Sequence, residues 1–207
     1  MSKPRASSRS WRERQERDPF VAQARRDGWR SRAVYKLEQI VQKERILKPG
    51  MTCIDLGAAP GGWSQYVTET LKGRTQIVAI DLLPMDVLPS VEFIQGDFTD
   101  DAAVEKIRAA TNDQRVDLVM CDMSPNISGT RAVDQPRSMY LAELALDLCK
   151  DRLKGGGDFI CKLFQGEGTD AFIVGARAVF DRVRVMKPKA SRAGSREVYL
   201  VARNYQL

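Results

Sequence analysis

The sequence predicts an α/β fold: a doubly wound, mostly parallel sheet of seven strands whose last strand runs antiparallel. Three observations carry this prediction. From residue 31 onward, short apolar runs alternate with amphipathic stretches of helical period, the pattern of parallel strands covered by helices on both faces. The final apolar run, residues 196–202, follows its predecessor through a Gly/Ser-rich turn at 190–195 with no helix between, so it closes as an antiparallel neighbour. A chain of 207 residues suffices for one substantial core and does not require a second domain.

The first helix is expected over residues 31–47. There Val34, Leu37, Ile40 and Val41 share one face, Ser31 stands as the N-cap, and Lys48-Pro49-Gly50 is the stop. Strands are expected at 52–56, 76–81, 91–95, 116–121, 158–164 and 183–187 before the last one. Helices are expected at 63–71, 100–110, 135–153 and 170–180. The glycines at 155–157 read as a turn into the fifth strand. Residues 122–130, DMSPNISGT, form a longer loop at a strand's carboxyl end, the edge where open α/β sheets bind ligands. No repeat or linker divides the chain, so 31–207 is expected as a single domain preceded by a basic arm, 1–30.

The net charge of +6 is unevenly placed. Residues 1–36 hold eleven Lys/Arg and four acids, net +7, and the remainder is net −1. A basic arm suits a polyanion, with counterion release as the driving force; a solvated tail is the plainer alternative. Trp11, Phe20 and Trp29, interleaved with the arginines, favour RNA, because they can stack on bases or anchor the arm to the body. The four cysteines form no CxxC pair, and three lie in apolar runs, as reduced buried thiols do. No apolar run is long enough to cross a bilayer and the N-terminus lacks a signal-type apolar core, so a cytoplasmic location is expected. Histidine is absent altogether, which removes the commonest general base and metal ligand; acid–base chemistry must come from carboxylates, lysine, tyrosine or cysteine.

Two constellations carry chemistry. In CIDLGAAPGGWSQ, residues 53–65, a strand ends in Asp55, a glycine turn follows, and a helix begins near Trp63. Glycines let a backbone approach a ligand closely, but the Gly57-x-x-x-Gly61-Gly62 spacing with Pro60 departs from the dinucleotide GxGxxG pattern, which disfavours a nicotinamide oxidoreductase. It resembles instead the glycine loop of S-adenosylmethionine-dependent methyltransferases. Asp81, Asp97 and Asp122 end the next three strands. Each alone is an ordinary cap or turn former. Together with Asp55 they line one edge of the sheet, which suits a ligand with a sulfonium, a ribose and an adenine. The second constellation is Lys162, in the apolar run 159–164, which opens on the same edge; it either snorkels to solvent or is paired. Lys36 stands in the helix leading into the sheet and Glu197 in the last strand.

The stretches RSRAVYKL, DLGAAPGGWSQ, DLLPMD, QGDF, CDMSPNISGT, CKLFQGEG and SREVYLVA resemble, in order and over essentially the whole chain, the FtsJ/RrmJ-type ribosomal RNA 2′-O-methyltransferases. The resemblance implies a Rossmann-like S-adenosylmethionine methyltransferase fold. It places a catalytic K-D-K-E tetrad on Lys36, Asp122, Lys162 and Glu197, and cofactor contacts on Gly61, Trp63, Asp81, Asp97 and Asp122. It also implies a substrate, a uridine in the A-loop of 23S rRNA in the large ribosomal subunit, modified on its ribose 2′-hydroxyl. No metal is needed, because methyl transfer uses the leaving sulfonium's own charge, and a monomer with no obligatory protein partner is expected.

On that reading Lys162 accepts the hydroxyl proton, for which it must be neutral, while Lys36 and Asp122 position the reactants and Glu197 orients Lys162 or the ribose. A protonated Lys162 that orients the hydroxyl and stabilises the developing alkoxide is the rival role. Methylation of tRNA or an mRNA cap, and a non-catalytic ribosome-assembly factor, are the competing functions; the intact tetrad argues against the latter.

Overall fold

The computed structural model describes residues 18–125 and 128–207. One sheet contains β1 (Met51–Leu56), β2 (Thr75–Asp81), β3 (Val91–Gln95), β4 (Val116–Cys121), β5 (Leu153–Phe164), β6 (Phe180–Met186) and β7 (Glu197–Tyr205), in the spatial order β3-β2-β1-β4-β5-β7-β6. Pairing is parallel from β3 to β5, and β7 runs antiparallel to both its neighbours. The expected seven-stranded architecture is therefore present. The strand order reverses between β1 and β4, and at that switch point the carboxyl ends of the strands part to leave a crevice.

Helices α1 (Pro19–Arg26), α2 (Val34–Glu44), α3 (Gly62–Thr70), α4 (Asp101–Ala110), α5 (Arg131–Arg152) and α6 (Thr169–Arg177) cover the sheet. The central strands are apolar at consecutive positions because both faces are covered. Ile54, Leu56, Val78, Ile80 and Val119 join Ile107, Ala142 and Phe172 of α4, α5 and α6. The alternate residues Cys53, Ile77, Leu118, Met120 and Ile160 join Leu37, Ile40 and Val67 of α2 and α3 on the other face. Burial of each such aliphatic side chain contributes about 1.5–3 kcal/mol.

Several boundaries differ from the sequence reading. Ser31 is not an N-cap: residues 31–33 form a turn, and α2 starts at Val34 behind Ala33, which makes no side-chain cap bond. Residues 155–157 are not a turn but part of β5, which follows α5 directly. Val116 pairs with Leu153 and Leu118 with Asp158, so four residues of β5 stand opposite Asp117 alone. Such an excursion needs Gly156, whose φ is +83°, and Gly157, where a Cβ would lie 2.9 Å from the Lys154 carbonyl oxygen. Helix α5 begins at Arg131, earlier than periodicity suggested, and carries Pro136 inside. Strand β7 lies between β5 and β6 because residues 198–202 are all buried, whereas β6 exposes Asp181, Arg182 and Arg184 as an edge strand.

Residues 18–30 fold onto the domain. Asp18 caps α1, its Oδ1 accepting the Phe20 amide at 3.1 Å, and Pro19 opens the helix. Phe20 packs on Tyr35 and Trp29 on Tyr66, at ring-centroid distances of 5.6 and 5.9 Å, so these two aromatics anchor the segment to the body. Residues 1–17, with Trp11, lie outside the described residues. All four cysteines are buried and free. Among the described residues no helix is long and apolar enough to cross a membrane.

Candidate active site

The crevice is built from the strand ends outward. Asp55 in β1 is 1% exposed; its Oδ2 accepts the Ser64 hydroxyl at 2.6 Å, and its Oδ1 has no partner among the described residues. Burial pushes this carboxyl up to about 7 against the pull of the Ser64 bond, with the negative charges of Asp122 and Asp81 adding to the rise. Gly57 turns the chain at φ +76°, and a Cβ there would lie 2.7 Å from Met123 Cγ, so glycine lets the β1 turn press against the loop after β4. Asp81, at the end of β2, is oriented by two amides: Ala59 N–H donates to Oδ2 at 2.9 Å and Leu83 N–H to Oδ1 at 2.8 Å. Asp97 takes the Thr99 amide (2.9 Å) and hydroxyl (2.7 Å) on Oδ1, and these bonds hold its carboxyl below the usual range.

Asp81, Asp97 and Asp122, with Gly57, Phe98 and Met123, line a cavity of about 420 Å³. Gly61 and Trp63 stand beside it rather than on its wall. Gly61 precedes α3 under Met85, Leu88 and Arg30, whose guanidinium donates to the carbonyls of Pro60 (3.2 Å), Asp86 (2.7 Å) and Val87 (2.9 Å). Trp63 is a core residue: its indole N–H donates to the Ala33 carbonyl at 2.9 Å and its ring lies 5.8 Å from that of Tyr199. Any contact these two make with a ligand comes from the backbone at the start of α3.

The four tetrad positions converge, as two ion pairs. Lys162 in β5 is only 8% exposed, and its ammonium is satisfied at both sides of one residue: Nζ donates to the Asp122 carbonyl at 2.5 Å and stands 3.3 Å from Asp122 Oδ1. That answers how a lysine sits in an apolar strand. Lys36 of α2 bonds both carboxylate oxygens of Glu197 in β7, at 2.8 and 2.9 Å. Burial alone would raise the Asp122 carboxyl, but the Lys162 and Lys36 cations and a bond from Tyr199 outweigh it and hold Asp122 below the usual range.

Glu197 thus orients Lys36; no direct bond joins it to Lys162 among the described contacts. Tyr199, which sequence reasoning passed over, links the pairs: its hydroxyl donates to Asp122 Oδ1 at 2.7 Å and its ring centroid lies 5.8 Å from Lys36 Nζ. The signal for it was present, since Tyr199 lies two residues past Glu197 in a strand and so shares its face.

An acidic cavity at a sheet switch point, opening beside two lysines held by carboxylates, defines a Rossmann-like methyltransferase. The residues fit S-adenosylmethionine: carboxylates suit its cationic and hydroxyl-bearing parts, and Gly57 leaves the wall free of a side chain. Residues 29–205 match the family model of the FtsJ-like methyltransferases, and the chain belongs to that family. It is 54% identical over 200 residues, 97% of each chain, to the ribosomal RNA large subunit methyltransferase E of Pseudomonas aeruginosa. Among solved structures, a Plasmodium falciparum protein described as a ribosomal RNA methyltransferase superposes with a TM-score of 0.77 at 30% identity, over 86% of this chain and 98% of its own. Human methyltransferase-like protein 13, solved with S-adenosylhomocysteine, shares the fold at a TM-score of 0.55 and 17% identity, over 83% of this chain and 80% of its own.

Proposed function

We propose that the protein transfers a methyl group from S-adenosylmethionine to the ribose 2′-hydroxyl of a uridine in the A-loop of 23S rRNA, in the large subunit. The pairing of Lys162 with Asp122 beside the acid-lined cavity is the observation that carries this reading. When bound, the cofactor supplies an electrophilic methyl on a cationic sulfur. Asp81 and Asp97 hold its polar groups, with backbone contacts from Gly61 and Trp63.

A sugar hydroxyl attacks well only as its proton departs, and Lys162 takes that proton. The resulting ammonium finds its partners already in place, the Asp122 carbonyl at 2.5 Å and the Asp122 carboxylate at 3.3 Å. To accept a proton Lys162 acts from its neutral form, so it gives up its own proton before the hydroxyl attacks. Lys36, held by Glu197, donates to the ribose or the adjoining phosphate. The basic arm, residues 1–30, adds sequence-independent grip on RNA, and the enzyme acts as a monomer in the cytoplasm, where its substrate is.

The test is methyl transfer from labelled cofactor to purified large subunits, naked 23S rRNA and tRNA, with the product mapped by mass spectrometry. A 2′-O-methyluridine in the A-loop of the large-subunit RNA is expected, and it should vanish with Lys162→Ala while cofactor binding persists. Label in tRNA alone, or an active Lys162→Ala protein, would overturn the assignment.

A further inference from the structure

The loop between β6 and β7 is fixed more firmly than its exposed, Gly/Ser-rich sequence suggests. Gln39 of α2 accepts the amides of Lys189 (2.6 Å) and Ala190 (3.4 Å) on its side-chain oxygen. Arg32 donates to the Ala190 carbonyl, and Ala190 is fully buried. The Ser191 amide closes a turn onto the Pro188 carbonyl at 2.9 Å. Arg192 reaches Asp18 at 3.2 Å, and Asp18 also pairs with Arg32, so the start of α1 and the start of α2 clamp the same turn.

Held this way, the loop delivers one group inward. Ser191 is 6% exposed, and its hydroxyl lies 2.7 Å from Glu197 Oε1. Glu197 as a carboxylate only accepts, so Ser191 is the donor. Lys36 already bonds both Glu197 oxygens. A carboxylate on a flexible side chain could keep Lys36 while rotating about its terminal torsion. A fixed third donor removes that freedom and sets the position of the Lys36 ammonium.

We propose that Ser191 is a positioning residue of the methyl-transfer reaction: it locks the Glu197 carboxylate, and through it Lys36, from a turn clamped by Gln39, Arg32 and Asp18. This inference rests on the tetrad reading above and adds to it a residue outside the tetrad. Ser191 touches neither substrate nor cofactor on this account, so its removal acts on turnover rather than on binding.

The experiment compares wild type, Ser191→Ala, Ser191→Thr and Glu197→Ala in single-turnover methylation of large subunits. Cofactor affinity is measured by calorimetry and folding by thermal melting. Loss of one charge-assisted hydrogen bond predicts a fall of about ten-fold in the methyl-transfer rate of Ser191→Ala. Its cofactor Kd and half-saturating subunit concentration should stay within about two-fold, and its melting profile should match wild type. Ser191→Thr keeps the hydroxyl and should recover most of the rate.

An Ser191→Ala rate equal to wild type, alongside an inactive Glu197→Ala, would overturn the role of Ser191 and leave the tetrad standing. So would a loss in Ser191→Ala that appears only as weaker binding. If Ser191→Ala does not fold, a Ser191→Thr protein that folds but turns over as slowly as Glu197→Ala counts against the inference. Wild-type activity in Glu197→Ala would instead overturn the tetrad reading itself.

Discussion

Tyr199 donates its hydroxyl hydrogen to Asp122 Oδ1 at 2.7 Å, on the same oxygen that faces Lys162 at 3.3 Å. One carboxylate oxygen therefore serves a neutral donor and a cation at once. Burial, reinforced by the charges of Asp122 and Glu197, pushes the phenol well above its ordinary range and so favours the neutral, donating form of Tyr199. Tyr199→Phe removes the hydrogen bond but keeps the ring in contact with Trp63. The rate of methyl transfer should fall about ten-fold and stability by about 1–2 kcal/mol, with Lys162 still paired. Single-turnover rates and urea midpoints check both numbers, and an unchanged rate would show that Lys162 alone sets the geometry of Asp122.

Asp55 makes stability depend on pH in a direction unusual for a carboxylate. Its folded value of about 7 lies above the ordinary 3.8, so between these limits the folded state holds a proton that the unfolded chain releases. Stability contributed by the protonated form is fully present below the unfolded value, declines as pH rises, and is gone above the folded value. The span corresponds to about 4 kcal/mol as an upper order of magnitude. Asp55→Asn cannot ionise. In cofactor-free protein, the difference in urea midpoint between Asp55→Asn and wild type should therefore move in favour of the variant from pH 5 to pH 8. A difference that stays constant over that range would mean that Asp55 titrates normally.

Gly57→Ala tests the close approach of the two loops that frame the cavity. The new methyl would sit 2.7 Å from Met123 Cγ and 3.0 Å from Met123 Cα, on a backbone at φ +76° that disfavours any side chain. Backbone strain of this kind costs about 1–3 kcal/mol, and relief by shifting Met123 would move the neighbouring Asp122. Melting temperature should drop and affinity for S-adenosylhomocysteine should weaken. Calorimetry that finds wild-type affinity would show that the cavity wall tolerates the methyl.

The sheet was legible because its strands are short apolar runs set off by glycines and acids, and both faces demand the same apolar residues. The tetrad positions came from resemblance to a family, and what stayed hidden was how they divide into pairs. Lys36 and Glu197 are 161 residues apart, and Lys162 and Asp122 are 40 apart, so only the sheet order decides which lysine meets which acid. Placing β7 beside β5 puts Glu197 opposite Phe164 and Tyr199 opposite Lys162. The bulge at 154–157 was missed because glycines signal a turn and a strand irregularity equally well. Asp18 was read as part of a basic arm, since nothing local reveals a carboxylate buried by arginines 14 and 174 residues away.

That clamp bears on how the basic N-terminus should be dissected. Residues 1–17 hold six Lys/Arg and two Glu, whereas 18–30 include Asp18, which binds Arg32 and Arg192, and Arg30, which ties down the loop before β3. A protein lacking residues 1–17 keeps Asp18, α1 and the Arg30 bonds and should still fold and bind S-adenosylhomocysteine. Its RNA affinity should fall, and the slope of log K against log salt should shrink by about two to four units, each lost phosphate contact counting somewhat under one. A protein lacking residues 1–30 should show a loss in slope at least as large, since the exposed Arg25 and Arg26 go with it, together with a lower melting temperature, because it also removes all of α1, the Asp18 clamp and the Arg30 bonds. Filter-binding titrations at several salt concentrations separate the two effects. If removing residues 1–17 leaves the salt slope untouched, the contact with phosphate lies on the folded body, and the N-terminal charge takes no part in binding.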